Sequence, residues 1–165
     1  MISSFPTKAI ANMPGIQSFL FSPYQNIASI PPAPGKKIIT PVVFKPGYGF
    51  LTGYSTPGLM NLVETGAQDA NGPIYDWLIT GFYPGDDDSI IDLFTNMEID
   101  RYVVLTKDNS GILRLVGINA PLNFVSVYDS GKEPGTDAKG YTFTFSGQSA
   151  LRAPRYVVTE FAPPP

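Results

Sequence analysis

The 165-residue chain contains neither cysteine nor histidine. Zinc, iron–sulfur and haem sites built on those ligands are therefore excluded. So are a disulfide framework, a catalytic thiol and a histidine general base. Charge is scarce too, at 15% of residues against about 25% in an average protein. A free monomer normally shows water a more charged surface, so much of this surface is expected to face other protein. The longest apolar runs, such as IITPVVF (Ile38–Phe44), fall well below the ~20 residues of a membrane span. Pro6 and Pro14 stand where a signal peptide carries its apolar core, so no targeting segment and no membrane partner are expected. A net charge of −3 gives no general reason to expect nucleic-acid binding.

What the chain does contain is glycine, proline and aromatic rings. Sixteen Gly and 17 Pro make up one residue in five, and hydrophobic residues reach 43%. That is enough to bury a core, and the turn residues imply short strands with many connections. The length suits a single domain over 1–165 that hides roughly 70% of its unfolded surface.

The charges are segregated. Residues 1–63 hold four lysines and no acid, and residues 64–100 hold nine acids and no base. Residues 101–165 hold seven basic and five acidic side chains. A fold that brings the two parts together accounts for this. So does contact between copies, with opposite patches setting the orientation.

Periodicity yields an α+β, mainly antiparallel β fold: a β-sandwich or partly open barrel flanked by one short helix. Expected strands are Ser18–Ser22, Ile27–Ile30, Lys37–Phe44, Tyr48–Thr56, Met60–Glu64 and Ile74–Phe82. The segment Pro31–Gly35 reads as a stiff link, Gly66–Pro73 as a polar turn-rich stretch, and residues 1–35 as an extended N-terminal arm. The helix is expected over Ser89–Ile99, capped by Asp87 or Asp88, with Ile90, Leu93, Phe94 and Met97 as its apolar stripe. Tyr102–Thr106 and Ile112–Ile118 flank the turn Asp108–Gly111, followed by Leu122–Tyr128. After an exposed loop over 129–140, Tyr141, Phe143 and Phe145 line one strand face, with Thr142, Thr144 and Ser146 on the other. Tyr156–Phe161 is a final strand, and 162–165 form an extended tail.

No catalytic motif stands out, and a non-enzyme without cofactor is expected. The Lys45–Gly49 stretch loses an amide at Pro46 and is no phosphate loop, and no nucleophile elbow is present. Asp86, Asp87 and Asp88 are weak candidates for a hard cation, set against a helix cap in a solvated acidic turn. Pairing of that cluster with Glu64, Asp76 or Glu98 in a glycosidase-like site has nothing to fix the separation. Asp69–Gly72 reads as turn chemistry. Tyr24, Tyr48, Tyr54, Tyr83 and Tyr128 lie near turn residues at strand ends, where they anchor loop bases, form interfaces or stack on sugars. The interface candidates are Tyr24, Lys36, Lys37, Tyr48, Tyr83, Asp86, Asp87, Tyr128, Lys132 and Glu133.

The stretch IYDWLITGFYPGDDDSIIDLFTNMEIDRYVVLTKDNSGILRLVGINAPLNF, followed by GYTFTFSGQSALRAPRY, resembles small structural proteins of Bacteroidetes tailed phages, the crAss-like group above all. An aromatic strand, a short helix after an acidic turn, the Asp108–Gly111 strand pair and Gly140–Gly147 before Ala153-Pro154 carry the resemblance. It covers a little over half of the chain. The resemblance implies a neck, connector or tail ring protein, or a tail-tube-like one, located in the virion and assembled in the host cytoplasm. It implies a homo-oligomeric ring with portal and adjacent neck or tail proteins as partners, and DNA passing through the channel without sequence-specific binding. The 129–140 loop and the proline-rich N-terminal part become inter-subunit arms on this reading. A glycan-binding adhesin or capsid decoration module is the alternative.

Overall fold

The computed structural model describes residues 13–158. Expectations for 1–12, for the strand end at 159–161 and for the tail 162–165 lie outside the described residues. In chain order the strands are β1 (Ile16–Pro23), β2 (Ile27–Ser29), β3 (Lys37–Ile38), β4 (Val43–Phe44), β5 (Leu51–Thr52), β6 (Asn61–Asp69), β7 (Gly72–Pro84), β8 (Arg101–Asp108), β9 (Leu113–Val116), β10 (Leu122–Asp129), β11 (Gly140–Ser149) and β12 (Arg155–Tyr156). Helix α1 (Asp88–Met97) lies between β7 and β8. The class is the expected one: a mainly antiparallel, open sheet with one flanking helix.

The sheet is organised around β8. Its run Tyr102-Val103-Val104-Leu105 is apolar without alternation because both of its faces are buried. One edge of β8 pairs with β1. The other is shared: β9 pairs with its C-terminal half and β10 with its first two residues. From β10 the sheet continues through β11, β7 and β6, and from β9 through β12 to β3. The β12–β3 pair is parallel. Strands β2 and β4 form a separate two-stranded ladder.

Two cores follow. Tyr102 and Val104 point into the first, which holds Phe19 and Phe21 of β1, Trp77 and Ile79 of β7, Phe143 and Phe145 of β11, and the buried side of α1. Val103 and Leu105 point into the second, covered by Ile38, Val42, Phe50, Tyr156 and Val158. The sheet curls around the first core. Phe19 on β1 comes within 5.8 Å of Phe143 on β11, centroid to centroid, and the Ile16 amide donates to the Met60 carbonyl at 3.2 Å.

Several sequence expectations are corrected. Ile16–Pro23 falls inside the expected arm but is a paired strand, because Phe19 and Phe21 are core residues. Lys37–Phe44 and Tyr48–Thr56 shrink to two-residue strands, broken around Pro41 and after Gly47; the segment instead wraps the second core. A 3-10 turn over Pro34–Lys36 ends the Pro31–Gly35 link. Gly66–Pro73 is not a loop. β6 runs on to Asp69, and Ala70-Asn71 alone turn into β7. On α1, Ile90, Phe94 and Met97 are buried, whereas Leu93 is exposed. Asp87 occupies the cap position, but its side chain makes no capping hydrogen bond.

Candidate assembly surface

Strands β10, β11, β7 and β6 present one face to the first core and the other to solvent. Direct cross-strand partners share a face, so the register defines the outer one. Its rows are Val127–Thr142–Phe82, Val125–Thr144–Thr80–Asn61, Asn123–Ser146–Leu78–Val63 and Gln148–Asp76–Thr65. Asp76 is the one charged side chain in these rows, and it accepts a hydrogen bond from Gln148 at 2.7 Å. The other charges of this face stand at its margins, Arg101 beside Asn123, and Asp129 and Asp69 at the ends of β10 and β6. Val63, Leu78, Val125 and Val127 are 41% to 62% exposed. On the outer face of β8 and β9, Val103, Leu105 and Leu115 are buried under Ile38, Val42, Phe50, Tyr156 and Val158, whereas no described residue covers this Thr/Val/Leu face. An antiparallel face in water ordinarily alternates into polar and charged residues.

A second feature lies where β7, β10 and β11 reach one end. Three interface candidates, Tyr83, Asp86 and Tyr128, meet here. The Tyr141 hydroxyl donates to Asp86 Oδ1 at 3.2 Å, and Lys139 Nζ stands 3.5 Å from Oδ2. The Tyr128 and Tyr141 rings are 5.1 Å apart. The Tyr128 hydroxyl, aided by Tyr141 and Lys139, holds the Asp86 carboxyl below its ordinary value against a partial desolvation that works the other way. Tyr128 also contributes most to raising Lys139. Tyr83 is not an exposed platform. It lies edge-on between Tyr54 (5.8 Å) and Phe94 (6.1 Å). Beneath α1, Tyr54 and Tyr83 border an apolar cavity of about 370 Å³ with no charged lining residue.

The remaining candidates are dispersed. Lys132 and Glu133 are exposed in the 129–140 loop, where their amides donate to Asp137 Oδ2 at 2.8 and 3.1 Å. Tyr24 and Tyr48 are exposed on the segment that wraps the second core. Lys36 and Lys37 lie beside Arg114, Arg152 and Arg155. Sequence spacing gave no sign of this basic group, because its members come from three strands, a 3-10 turn and a connecting segment, and one of the pairings is parallel. Asp87 and Asp88 are exposed on the acidic turn. Among the described residues no three acidic side chains are grouped as a metal ion requires. Glu64, weighed as a catalytic acid, is occupied otherwise: it accepts from the Trp77 indole, Arg152 and the Ala153 amide.

No family model matches this chain, and no curated protein or solved structure matches it.

Proposed function

We propose that the chain is a non-catalytic structural subunit of a tailed-phage virion, a neck, connector or tail ring protein that assembles around the DNA channel. The virion assignment rests on the resemblance of Tyr75 to the C-terminus to such proteins. Assembly is supported by one observation above all: the outer face of β10, β11, β7 and β6, open among the described residues and nearly uncharged at its centre. Interface cores are depleted in charge. At about 4.8 Å between strands and about 6.8 Å between rows on one face, four strands and four rows measure roughly 19 Å by 27 Å. A standard interface takes about 800 Å² from each partner. This face therefore supplies only part of a stable contact, and a ring subunit has further surfaces to add.

Native mass spectrometry, on the protein alone and with portal and tail proteins of the same genome, tests the proposal. The expected result is a closed oligomer or a defined complex, weakened by Leu78→Lys with Val125→Lys while the fold is retained. A chain that stays monomeric at high micromolar concentration and ignores every such partner overturns it.

The cluster of exposed Tyr128 and Asp86 with half-buried Tyr141 favours the second reading, a glycan-binding decoration module, because ring faces beside a carboxylate acceptor are what a sugar needs. Glycan-array binding lost in Tyr128→Ala supports that reading, and an array without binding removes it.

A further inference from the structure

The β3, β12 and β9 strands carry an unusual row. Arg155 on β12 is the direct partner of both Lys37 on β3 and Arg114 on β9. Three cations thus stand side by side across three adjacent strands. Like charges directly opposite one another destabilise a sheet. Lys36 and Arg152 join them around a shallow cavity of about 260 Å³, whose one other lining residue is Ala153. Lys36 has φ +64°, the one non-glycine positive φ among the described residues. Of the five cations only Arg152 has a carboxylate partner among the described residues, Glu64 at 3.0 Å. The other four form an accumulation of positive charge without an ion-pair partner among the described residues, on a chain that is acidic overall.

The matching acidic group belongs to the same chain but lies at the other end. The turn Gly85–Asp88 and the loop 129–140 together hold Asp86, Asp87, Asp88, Asp129, Glu133 and Asp137 against Lys132 and Lys139. The distance between the two groups can be read along β7. At its start, Tyr75 lies under the Arg152 guanidinium, 4.7 Å from carbon to ring centroid. At its end, Pro84 leads into the acidic turn. Ten residues of strand separate Tyr75 from Gly85, roughly 30 Å. Strands β8 and β10 give the same polarity: Arg114 pairs with Thr106 near the end of β8, and Asp129 ends β10 in the opposite direction. The fold therefore holds the two charged groups apart, and they cannot neutralise each other within one molecule.

We infer that a second copy of this chain docks its acidic turn, Asp86–Asp88, onto the Lys37–Arg155–Arg114 row. This is a heterologous head-to-tail contact, of the kind that closes into rings when its rotation closes. It rests on the assembly reading above and names the contact that the small uncharged face lacks. Charge complementarity across it fixes the orientation of each subunit and rejects the head-to-head and tail-to-tail alternatives, where like charges meet. Asp87 and Asp88 are the expected contacts, since both are exposed and neither has an ion-pair partner among the described residues, whereas Asp86 is engaged by Lys139 and Tyr141.

A charge-exchange experiment on the full chain tests it. One variant carries Lys37→Glu with Arg155→Glu, the other Asp87→Lys with Asp88→Lys. Circular dichroism confirms that each is folded. Sedimentation velocity is then run on wild type, on each variant and on their equimolar mixture, at low and at high salt. The wild type is expected to self-associate more weakly at high salt. Each variant alone is expected to associate about tenfold more weakly or worse. The mixture is expected to recover assembly, because both of its heterotypic contacts pair opposite charges. Wild-type oligomers that persist in both variants, or a mixture that recovers nothing, overturn the docking while leaving the assembly reading in place. A wild type that stays monomeric at every concentration overturns the docking as well, and association with portal or tail proteins then decides the assembly reading separately.

Discussion

The Glu64 carboxylate holds the Trp77 indole: Nε1 donates to Oε2 at 3.1 Å across the β6–β7 ladder. The same oxygen accepts the Ala153 amide at 2.8 Å, and Oε1 takes the Arg152 guanidinium at 3.0 Å. One side chain thus ties the segment after β11 to the largest ring in the first core. The Arg152 ion pair adds little, since that side chain is half exposed. The two N–H groups matter more, because removing their acceptor leaves buried donors unsatisfied at about 1–3 kcal/mol each. Glu64→Ala is expected to lower stability by about 2–4 kcal/mol in urea denaturation, and Glu64→Gln by less. A loss below about 0.5 kcal/mol for Glu64→Ala contradicts the clamp.

Gly81 lies directly against the Phe143 ring on β11, its neighbour in register. A methyl group added there collides with that ring. To make room the ring must move among Phe19, Phe94 and Phe124, whose centroids stand 5.8, 6.0 and 6.2 Å away, and toward the apolar cavity that it lines. Overpacking of this kind costs about 1–3 kcal/mol. Gly81→Ala is expected to show that loss as a lower thermal midpoint. An unchanged midpoint means that the sheet or the Phe143 ring gives way freely at this position, against the packing described.

Local pattern made some of this fold legible. The alternation of Tyr141, Phe143 and Phe145 marks a half-buried strand, and Phe143 and Phe145 are buried as expected. The turn at Asp108 is equally plain: its carboxylate accepts the Ser110 and Ile112 amides, and Gly111 has φ +80°. Long-range pairing overrode local preference elsewhere. The Gly66-Ala67-Gln68-Asp69 run has poor strand propensity, yet β7 draws it into a nine-pair ladder. Phe19 and Phe21 announced a strand, but nothing local said that it would lie beside β8. The basic row was hidden for the same reason. Lys37, Arg114 and Arg155 are far apart in sequence and meet only through register.

Tyr102 makes the fold sensitive to alkali. Its side chain is 2% exposed in the first core, edge-on to Phe21 and Phe145. Burial, reinforced by the nearby Asp100 charge, pushes its phenol up to about 12. The raised value means that the fold favours the neutral phenol. The associated stability is fully present below the ordinary tyrosine value of about 10 and is lost as pH rises through 10 toward 12. Two pH units correspond to about 2.7 kcal/mol. Tyr156 adds a background in the same direction, since burial raises it as well; its hydroxyl accepts the Val42 amide at 3.3 Å. Urea midpoints measured from pH 9 to pH 12 should therefore fall steeply for the wild type and less steeply for Tyr102→Phe, which keeps the ring and removes the titrating group. The two curves should converge near neutral pH only to the extent that the hydroxyl itself is neutral to stability, so the slope above pH 10 is the quantity to compare. Equal slopes for the two proteins mean that Tyr102 ionises without resistance, which a residue packed among Phe21, Phe124 and Phe145 cannot do.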